Sequence, residues 1–392
     1  MAYINFEDIR EVHLEPTLKC NALCPQCSRS IFGGAVDPNL PQVGLTMEDM
    51  EHIFSPELCS NLIHVLFCGT HGDPVASEVT VPGAQLLKDR DVEKVWIYTN
   101  GSAQGKSWWQ DLASALSGPQ DRVCFGIDGL EDTNHLYRIG TNWQKIMSSA
   151  EAFINAGGNA RWEFLVFKHN EHQVEEAQAL AKKMGFKDFR IRKTSRFKPQ
   201  QHGYSIPATP IIEKMDREQA VEFSKNFETL FNEDYKIKYH IFPPDNPEYK
   251  NQAITEEYKD IITKFGNFKA YANQAPIECI YRGWSRVYVS GLAKLWPCCH
   301  LASSVLEWKT SAFVDDFNKK VTDRYGSDFN DLRTKSIKEI LEHPWFKEDL
   351  TASWQKNMYT KDNPRLYRCG KTCGKHFNPI LSQTEHKNLE SN

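Results

Sequence analysis

Three cysteines stand within eight residues near the front of this chain, in the stretch CNALCPQC. Cys20, Cys24 and Cys27 follow the spacing C-x₃-C-x₂-C, which brings three thiols within reach of one metal centre. A structural zinc site needs four ligands, and the nearest candidates for a fourth, Cys68 and His71, lie far along the chain. An iron–sulfur cluster with three protein ligands fits the odd number better, because it leaves one iron open to a group that is not protein.

The composition of the chain limits where this chemistry takes place. Its 392 residues, 40% of them hydrophobic, allow a large core and a second domain. The net charge of −4 argues against general binding to nucleic acid or to an acidic membrane. The N-terminal residues have no long apolar run, and no stretch of about 18 apolar residues exists, so we expect a cytoplasmic protein. Eleven cysteines in such a reducing compartment favour metal or redox chemistry.

From about residue 10 to 195, strand patterns alternate with helical patterns. Strands are predicted in REVHLEPTL, NLIHVLFCG, VEKVWIYTN, DRVCFGIDG, ARWEFLVFK and FKDFRIRKTS. Among the helices between them, one is predicted to start after Thr46 as N-cap and another to end at Gly185. Six βα units with short connections favour a parallel sheet with helices outside it. Six are too few for a closed eight-stranded barrel, so the predicted fold is α/β, an open, partial (β/α)6 TIM-like barrel.

A cysteine loop that follows the first strand and opens a run of βα units resembles the radical S-adenosylmethionine (radical SAM) enzymes. In that family the three cysteines bind a [4Fe–4S] cluster, and its fourth iron is chelated by the amino and carboxylate groups of SAM. The resemblance implies that Cys20, Cys24 and Cys27 hold the catalytic cluster. It also implies cleavage of SAM to a 5′-deoxyadenosyl radical that abstracts hydrogen from a substrate. Because a sulfonium is hard to reduce, a low-potential donor such as flavodoxin or ferredoxin is the expected electron-transfer partner.

Further stretches at the ends of later strands resemble the SAM-contacting motifs of the family. FCGTHGDP resembles the glycine-rich GGEP stretch, whose backbone meets the SAM amino group, with His71 replacing the first Gly and Asp73 the Glu. YTNG resembles TNG, FGIDGLEDTNHLYRIG resembles SIDG…H…IRG, and Asn170 fits the same series. Each stretch alone is also ordinary turn or cap chemistry, but parallel α/β folds bind ligands at these strand ends. The implied SAM-contacting residues are Gly72, Asp73, Pro74, Thr99, Asn100, Asp128 and Arg138.

Four cysteines in the last third of the chain make a second set: Cys279, Cys298, Cys369 and Cys373. Four thiols are a closed shell, and their spacing suits zinc and an iron–sulfur cluster equally. The segment CIYRGWSRVYVSGLAKLWPCC resembles the start of the SPASM or shorter twitch extension of radical SAM enzymes. That resemblance implies a small C-terminal domain with one fully ligated second [4Fe–4S] cluster.

Details of this second set stay open. Cys299 is an alternative to Cys298, although Cys298, directly after Pro297, matches the extension better. His376 is a substitute ligand. The hairpin within the segment is predicted to turn at Gly291.

Two other groups of residues are expected to have no role in the site. Three cysteines are expected to be buried as small apolar side chains: Cys59, Cys68 and Cys124. Cys124 is placed in the core in preference to a role as hydrogen donor. Four basic residues near the end of the sixth strand are able to bind a phosphate or carboxylate, but the more frequent role of such a group, a solvated edge, is the expected one: Arg190, Arg192, Lys193 and Arg196.

The predicted organisation has four parts. Residues 1–196 form the radical SAM core, 197–275 a linker or insert of unclear role, 276–380 the twitch/SPASM-like domain, and 381–392 a polar tail. A peptide or protein is the favoured substrate, because enzymes with such extensions often act on peptides. A sugar or nucleotide substrate is the alternative, and a zinc-stapled binding protein without catalysis is a further one.

Overall fold

The strands of one eight-stranded sheet come from both ends of the chain. This computed structural model describes residues 1–31, 35–36, 40–194, 241–303 and 317–375. The sheet order is β10-β9-β1-β4-β5-β6-β7-β8, and β2 and β3 form a separate antiparallel pair. The strands are β1 Glu11–Leu14, β2 Ser30–Ile31, β3 Ala35–Val36, β4 His64–Phe67, β5 Lys94–Thr99, β6 Arg122–Gly126, β7 Ala160–Leu165, β8 Asp188–Arg192, β9 Arg286–Val289 and β10 Leu295–Trp296.

Helices follow most of the parallel strands. They are α1 Met47–Ile53, α2 Pro56–Cys59, α3 Thr80–Asp89, α4 Lys106–Ala115, α5 Asn134–Tyr137, α6 Trp143–Asn155, α7 Val174–Met184, α8 Gln252–Phe265, α9 Phe268–Gln274, α10 Ile280–Gly283, α11 Cys299–Ala302, α12 Asp323–Tyr325, α13 Ile337–Leu341, α14 Leu350–Ser353 and α15 Tyr367–Cys373. Short 3₁₀ turns cover Phe6–Asp8, Pro74–Ala76, Glu171–Gln173 and Pro247–Tyr249, and π-helical turns cover Asn318–Thr322 and Trp345–Asp349. Within the part of the chain that the structure describes, no helix is long and apolar enough to cross a membrane.

The core lies between the sheet and these helices. Fully buried Val95 and Ile97 alternate with less buried residues along β5, as expected for a strand with one face against a core. The Trp109 ring of α4 and the Phe153 ring of α6 pack against Phe125 of β6, at centroid distances of 5.3 and 6.3 Å. The six predicted strands correspond to β1 and β4–β8, which pair in parallel. The predicted α/β class is therefore confirmed.

Local signals place two helix ends correctly. Thr46 caps α1, where its side chain accepts from the Asp49 backbone N–H and the Asp49 carboxylate accepts from the Thr46 N–H. Gly185 ends α7 in the left-handed conformation, with φ +91°. The hairpin between β9 and β10 turns where predicted, because the Ala293 N–H donates to the Ser290 carbonyl oxygen at 2.9 Å and Gly291 lies within this turn. Ala293 follows in the left-handed conformation, with φ +56°.

The C-terminal hairpin joins the same sheet as the N-terminal strands. β9 runs parallel to β1, with Val12 opposite Val287 and His13 opposite Tyr288. An exposed β1 edge would leave backbone N–H and C=O groups without partners, and β9 supplies them. The residues assigned from sequence to a separate C-terminal domain therefore extend the sheet that carries the cysteine loop. The domain boundaries themselves stay a prediction.

Several predicted features lie outside the described residues. These are most of the 197–275 segment, Arg196, His376 and the 381–392 tail. In the described part of that segment, helix α9 packs on the helix that carries Cys369 and Cys373, since a Cβ on Gly370 would lie 1.9 Å from the Ala272 carbonyl oxygen. The Arg365 guanidinium also donates to the Ala275 carbonyl oxygen at 2.8 Å.

Candidate functional site

The three clustered cysteines occupy a loop between β1 and β2. The Cys27 N–H donates to the Cys24 carbonyl oxygen at 3.0 Å, a tight turn that keeps these two residues together. None of the three cysteines is in a disulfide, and all three line one cavity of about 280 Å³. The cavity opens at the carboxyl ends of the parallel strands, where such folds bind ligands.

Burial sets the protonation of these thiols. It raises the pKa of Cys20 to about 12, helped by the neighbouring Asp73 carboxylate. It raises the pKa of Cys24 to about 11, although the Arg138 guanidinium, whose Nη1 lies 3.9 Å from the Cys24 Sγ, opposes the rise. In the metal-free loop both thiols are therefore protonated at neutral pH, and a bound metal centre would displace their protons.

A buried cation beside the cysteine loop favours negative charge on the cysteine sulfurs. Arg29 is 2% exposed, and its Nε and Nη1 have no hydrogen-bond partner among the described residues. Its charge acts on Cys20 and favours the thiolate form of that cysteine. A buried guanidinium is costly without a counter-charge, so three thiolates on a cluster fit these surroundings.

The loop after β4 packs against the start of the cysteine loop. A Cβ on Gly72 would lie 1.8 Å from the Thr17 carbonyl oxygen, so only glycine allows this approach. The Asp73 N–H donates to the Lys19 carbonyl oxygen at 2.8 Å. Burial raises the pKa of the Asp73 carboxyl, which accepts from the backbone N–H groups of Val75 and Asn100.

Two residues after β5 connect the strand end to the cysteines. The Thr99 hydroxyl accepts from the Gly101 N–H at 3.0 Å. The Asn100 side-chain amide donates to the Asn21 side-chain oxygen at 3.0 Å and lies 3.7 Å from the Cys20 Sγ. Asn100 therefore connects the YTNG turn to the cysteine loop.

An ion pair between Arg138 and Asp128 lies beside the cysteine loop. Arg138 Nε donates to the fully buried Asp128 carboxylate at 2.6 Å, and the Leu165 N–H donates to the other oxygen at 2.7 Å. Asn170 has a supporting role, because its amide donates to the carbonyl oxygens of Asp128 and Leu165 at 2.9 Å. Arg138 also faces Cys24, so it places positive charge beside a thiol of the loop.

The structure brings most of the predicted SAM-contacting residues to the thiol-lined cavity. The lining includes Gly72, Asp73, Thr99, Asn100, Asp128 and Arg138. Pro74 is buried at the start of a 3₁₀ turn and is not part of the lining.

Other lining residues were missed or expected elsewhere. Cys68 and Cys124, expected in the core, line this cavity, as do Arg192 and Lys193 of the expected solvated edge. Tyr98 and Glu163 were not singled out from the sequence. Strand alternation could have found several of these residues, because positions two or four before Asn100 and Asp128 point to the same face of the sheet.

The second cysteine set meets at another, smaller cavity. Cys279, Cys298, Cys369 and Cys373 all line it, whereas Cys299 does not. The hydrogen bond between the thiols of Cys279 and Cys373 lowers the pKa of Cys279 and raises that of Cys373. Four thiols are the number of donors in a closed metal site.

The volume of this second cavity limits what fits without movement. It measures about 20 Å³, room for about one water-sized sphere, so the thiols must separate to admit a four-iron group. In the described ranges, no group of three or more His, Cys, Asp and Glu side chains is arranged to hold a single metal ion.

Replacing Gly72 by alanine tests how tightly the two loops pack. Because the added Cβ would overlap the Thr17 carbonyl oxygen, we expect the free energy of unfolding to fall by about 3 kcal/mol. Gly105→Ala is the matched control, since a Cβ there has no heavy atom within 4 Å and we expect a far smaller change. Urea unfolding of the metal-free proteins measures both, and equal losses would show that the loops do not depend on this contact.

Comparisons with known proteins give a likeness of architecture. No family model and no curated protein matches the chain. Among solved structures, it is similar to Streptococcus suis SuiB bound to precursor peptide SuiA, with 15% identity, a TM-score of 0.45, and coverage of 82% of this chain and 66% of SuiB. It is similar to anSMEcpe with bound AdoMet and Kp18Cys peptide, with 14% identity, a TM-score of 0.45, and coverage of 97% and 92%. BtrN in complex with AdoMet and 2-DOIA matches with 11% identity, a TM-score of 0.38, and coverage of 97% and 98%.

The chain spans 65% of the length of SuiB in its S-adenosylmethionine complex. Several of the matched structures contain S-adenosylmethionine. Identities are 15% or lower and TM-scores 0.45 or lower, so these matches show a likeness of fold alone.

Proposed function

We propose that the chain is a radical SAM enzyme whose catalytic cluster is held by Cys20, Cys24 and Cys27. The observation that carries the proposal is the meeting, in one cavity, of three cysteines from a single loop with the side chains of three successive strand ends. A zinc-stapled binding protein would explain the thiols, but it would leave the strand-end residues without a role.

The bound cluster would supply an electron to the SAM sulfonium, which yields methionine and a 5′-deoxyadenosyl radical. The residues of this chain hold the reactants in place. The amide of Asn100 and the guanidinium of Arg138 face two of the sulfur ligands and place polar hydrogens beside them. Gly72 and Asp73 lie against the same loop, where their backbone can meet the SAM amino group.

The second cysteine set supports a second, fully ligated [4Fe–4S] cluster as part of the proposal. Its donor set is closed, so the proposed role is electron transfer or structure and not substrate activation. Flavodoxin or ferredoxin is the proposed electron donor. A cytoplasmic location is part of the proposal, because eleven cysteines suit metal or redox chemistry in a reducing compartment.

We favour a peptide or protein substrate, with a sugar or nucleotide as the alternative. The support is the resemblance of the second cysteine set to the extension found in many peptide-modifying members of the family. Incubation of the reconstituted protein with SAM, reductant and either a peptide encoded beside its gene or a nucleotide-sugar separates these cases. Consumption of the nucleotide-sugar alone would reject the peptide substrate.

Anaerobic reconstitution tests the central proposal. We expect a brown protein with about four irons at the first site, and release of 5′-deoxyadenosine and methionine on addition of SAM and dithionite. Iron analysis, absorbance and chromatography of the nucleoside measure these outcomes. A colourless protein with stoichiometric zinc at both cysteine sets would reject the enzyme and favour the binding protein.

A further inference from the structure

A buried carboxylate lies directly behind the loop that follows β4. Glu15, the residue after β1, is 1% exposed. Its Oε1 accepts from three consecutive backbone N–H groups, those of Thr70 at 2.7 Å, His71 at 2.6 Å and Gly72 at 3.2 Å. Successive backbone N–H groups that converge on one anion form a rigid concavity, so Glu15 fixes the conformation of the loop.

The carboxylate is ionised in the fold. Burial alone would raise the pKa of Glu15, but the His71 ring, whose Nδ1 lies 3.8 Å from the carboxylate, together with the hydrogen bonds from the Tyr288 hydroxyl and the backbone, outweighs it and lowers the pKa to about 2. A charged acceptor makes stronger hydrogen bonds to backbone N–H groups than a neutral one. The loop is therefore held more firmly than a glycine-containing turn would be by itself.

The C-terminal hairpin supplies a hydrogen bond to the second oxygen of the Glu15 carboxylate. Tyr288 of β9 is 1% exposed, and its hydroxyl donates to the second oxygen of Glu15. The same hydroxyl lies 3.3 Å from the Thr70 Oγ1, and the Tyr288 ring packs edge-on against His13 of β1 at 4.8 Å. One residue of the C-terminal hairpin thus supports the loop through Glu15.

The direction of the N–H groups determines what the loop offers to the cavity. In a planar trans peptide, the C=O points opposite to the N–H of the same unit. Because the N–H groups of Thr70, His71 and Gly72 point to Glu15, the carbonyl groups of Gly69, Thr70 and His71 point away from it. The Ser28 hydroxyl, one residue after Cys27, donates to the backbone carbonyl oxygen of Thr70. This contact agrees with a Thr70 carbonyl that points away from Glu15. The four residues of this loop that line the thiol-lined cavity are Gly69, Thr70, His71 and Gly72.

We propose that Glu15 and Tyr288 are positioning residues for the amino group of S-adenosylmethionine, and that they act by holding the backbone carbonyls of residues 69–71 as acceptors. An amino nitrogen that uses its lone pair on iron keeps only N–H donors, so a loop that presents carbonyl oxygens matches it. The inference rests on the proposed function, because it assumes that this cavity binds S-adenosylmethionine.

The test compares two ligands in two conservative variants. In Tyr288→Phe and Glu15→Gln, we expect the Kd for S-adenosylmethionine to rise about tenfold, as loss of a hydrogen bond to a charged group predicts. An analogue with hydrogen in place of the amino group should bind the variants and the wild-type protein with the same Kd, because it lacks the group that the loop binds. Calorimetric titration of the anaerobically reconstituted protein measures all of these affinities.

Matched controls separate positioning from general damage. Tyr359→Phe and Glu175→Gln make the same two replacements at exposed positions. They should leave the affinities for S-adenosylmethionine and for the analogue unchanged. If Glu15→Gln does not fold, Tyr288→Phe decides the question alone, since it keeps the buried ring.

Two results would overturn the inference while the proposed function stands: unchanged affinity for S-adenosylmethionine in both variants, or an equal loss for both ligands. A wild-type protein that binds no S-adenosylmethionine would instead overturn the proposed function, and the inference with it.

Discussion

Simultaneous replacement of Cys20, Cys24 and Cys27 by alanine should reduce 5′-deoxyadenosine formation to the level of a protein-free control. The three thiols belong to one loop and line one cavity, so their loss removes every protein ligand of the proposed cluster. Iron should fall by about four per chain. Anaerobic reconstitution, iron analysis and chromatography of the nucleoside after addition of S-adenosylmethionine and dithionite measure the effect.

A cysteine far from the cavity is the control for this variant. Cys59 lies in α2, where its thiol contacts the Phe54 carbonyl oxygen, and it is not part of the cavity lining. Cys59→Ala should keep both its iron and its product. If the triple variant still releases 5′-deoxyadenosine, then the assignment of the cluster to these cysteines is wrong.

The second large effect is expected at the C-terminal cysteines. Wild-type protein should contain about eight irons, and replacement of Cys369 and Cys373 by alanine should leave about four. The physical reason is that these residues supply half of the four thiols around the smaller cavity. Formation of the first cluster should survive, because its ligands lie on another loop. Iron, sulfide and zinc analysis of both proteins measure the result.

Cys299 provides a matched control within the same segment. It is adjacent to Cys298 in sequence but does not line the smaller cavity, so Cys299→Ala should keep about eight irons and Cys298→Ala should not. Iron near four in wild type, unaffected by loss of Cys369 and Cys373, would refute the second cluster. Stoichiometric zinc that these two replacements remove would identify the site as a closed zinc site.

Much of the fold follows from local sequence patterns. Alternating burial along β5, the cap at Thr46 and the left-handed Gly185 each depend on a few neighbouring residues, and each was predictable for that reason. The cavity was predictable in outline, because parallel strands place their carboxyl ends at one edge of the sheet. That rule by itself predicts that the strand-end motifs lie near the cysteine loop.

Other parts of the site depend on contacts between distant segments. Tyr288 reaches Glu15 across 273 positions, and no local pattern predicts that β9 pairs with the free edge of β1. Cys124 is buried as predicted, but the sequence did not show that Cys124 and Cys68 line the cavity, because a buried thiol in a strand has the same sequence pattern in a packed core and in a cavity wall.

The sequence by itself determined the ligand types, the spacing of Cys20, Cys24 and Cys27, and the order of the βα units, because these are properties of neighbouring residues. The tertiary structure alone decided which side chains share a cavity. It separated Cys298 from Cys299, placed Arg138 between Asp128 and Cys24, and joined the C-terminal hairpin to the loop after β4. Such contacts depend on strand pairing and packing between segments that are far apart in the chain. The same local pattern is compatible with several pairings, but only one arrangement buries the apolar faces together.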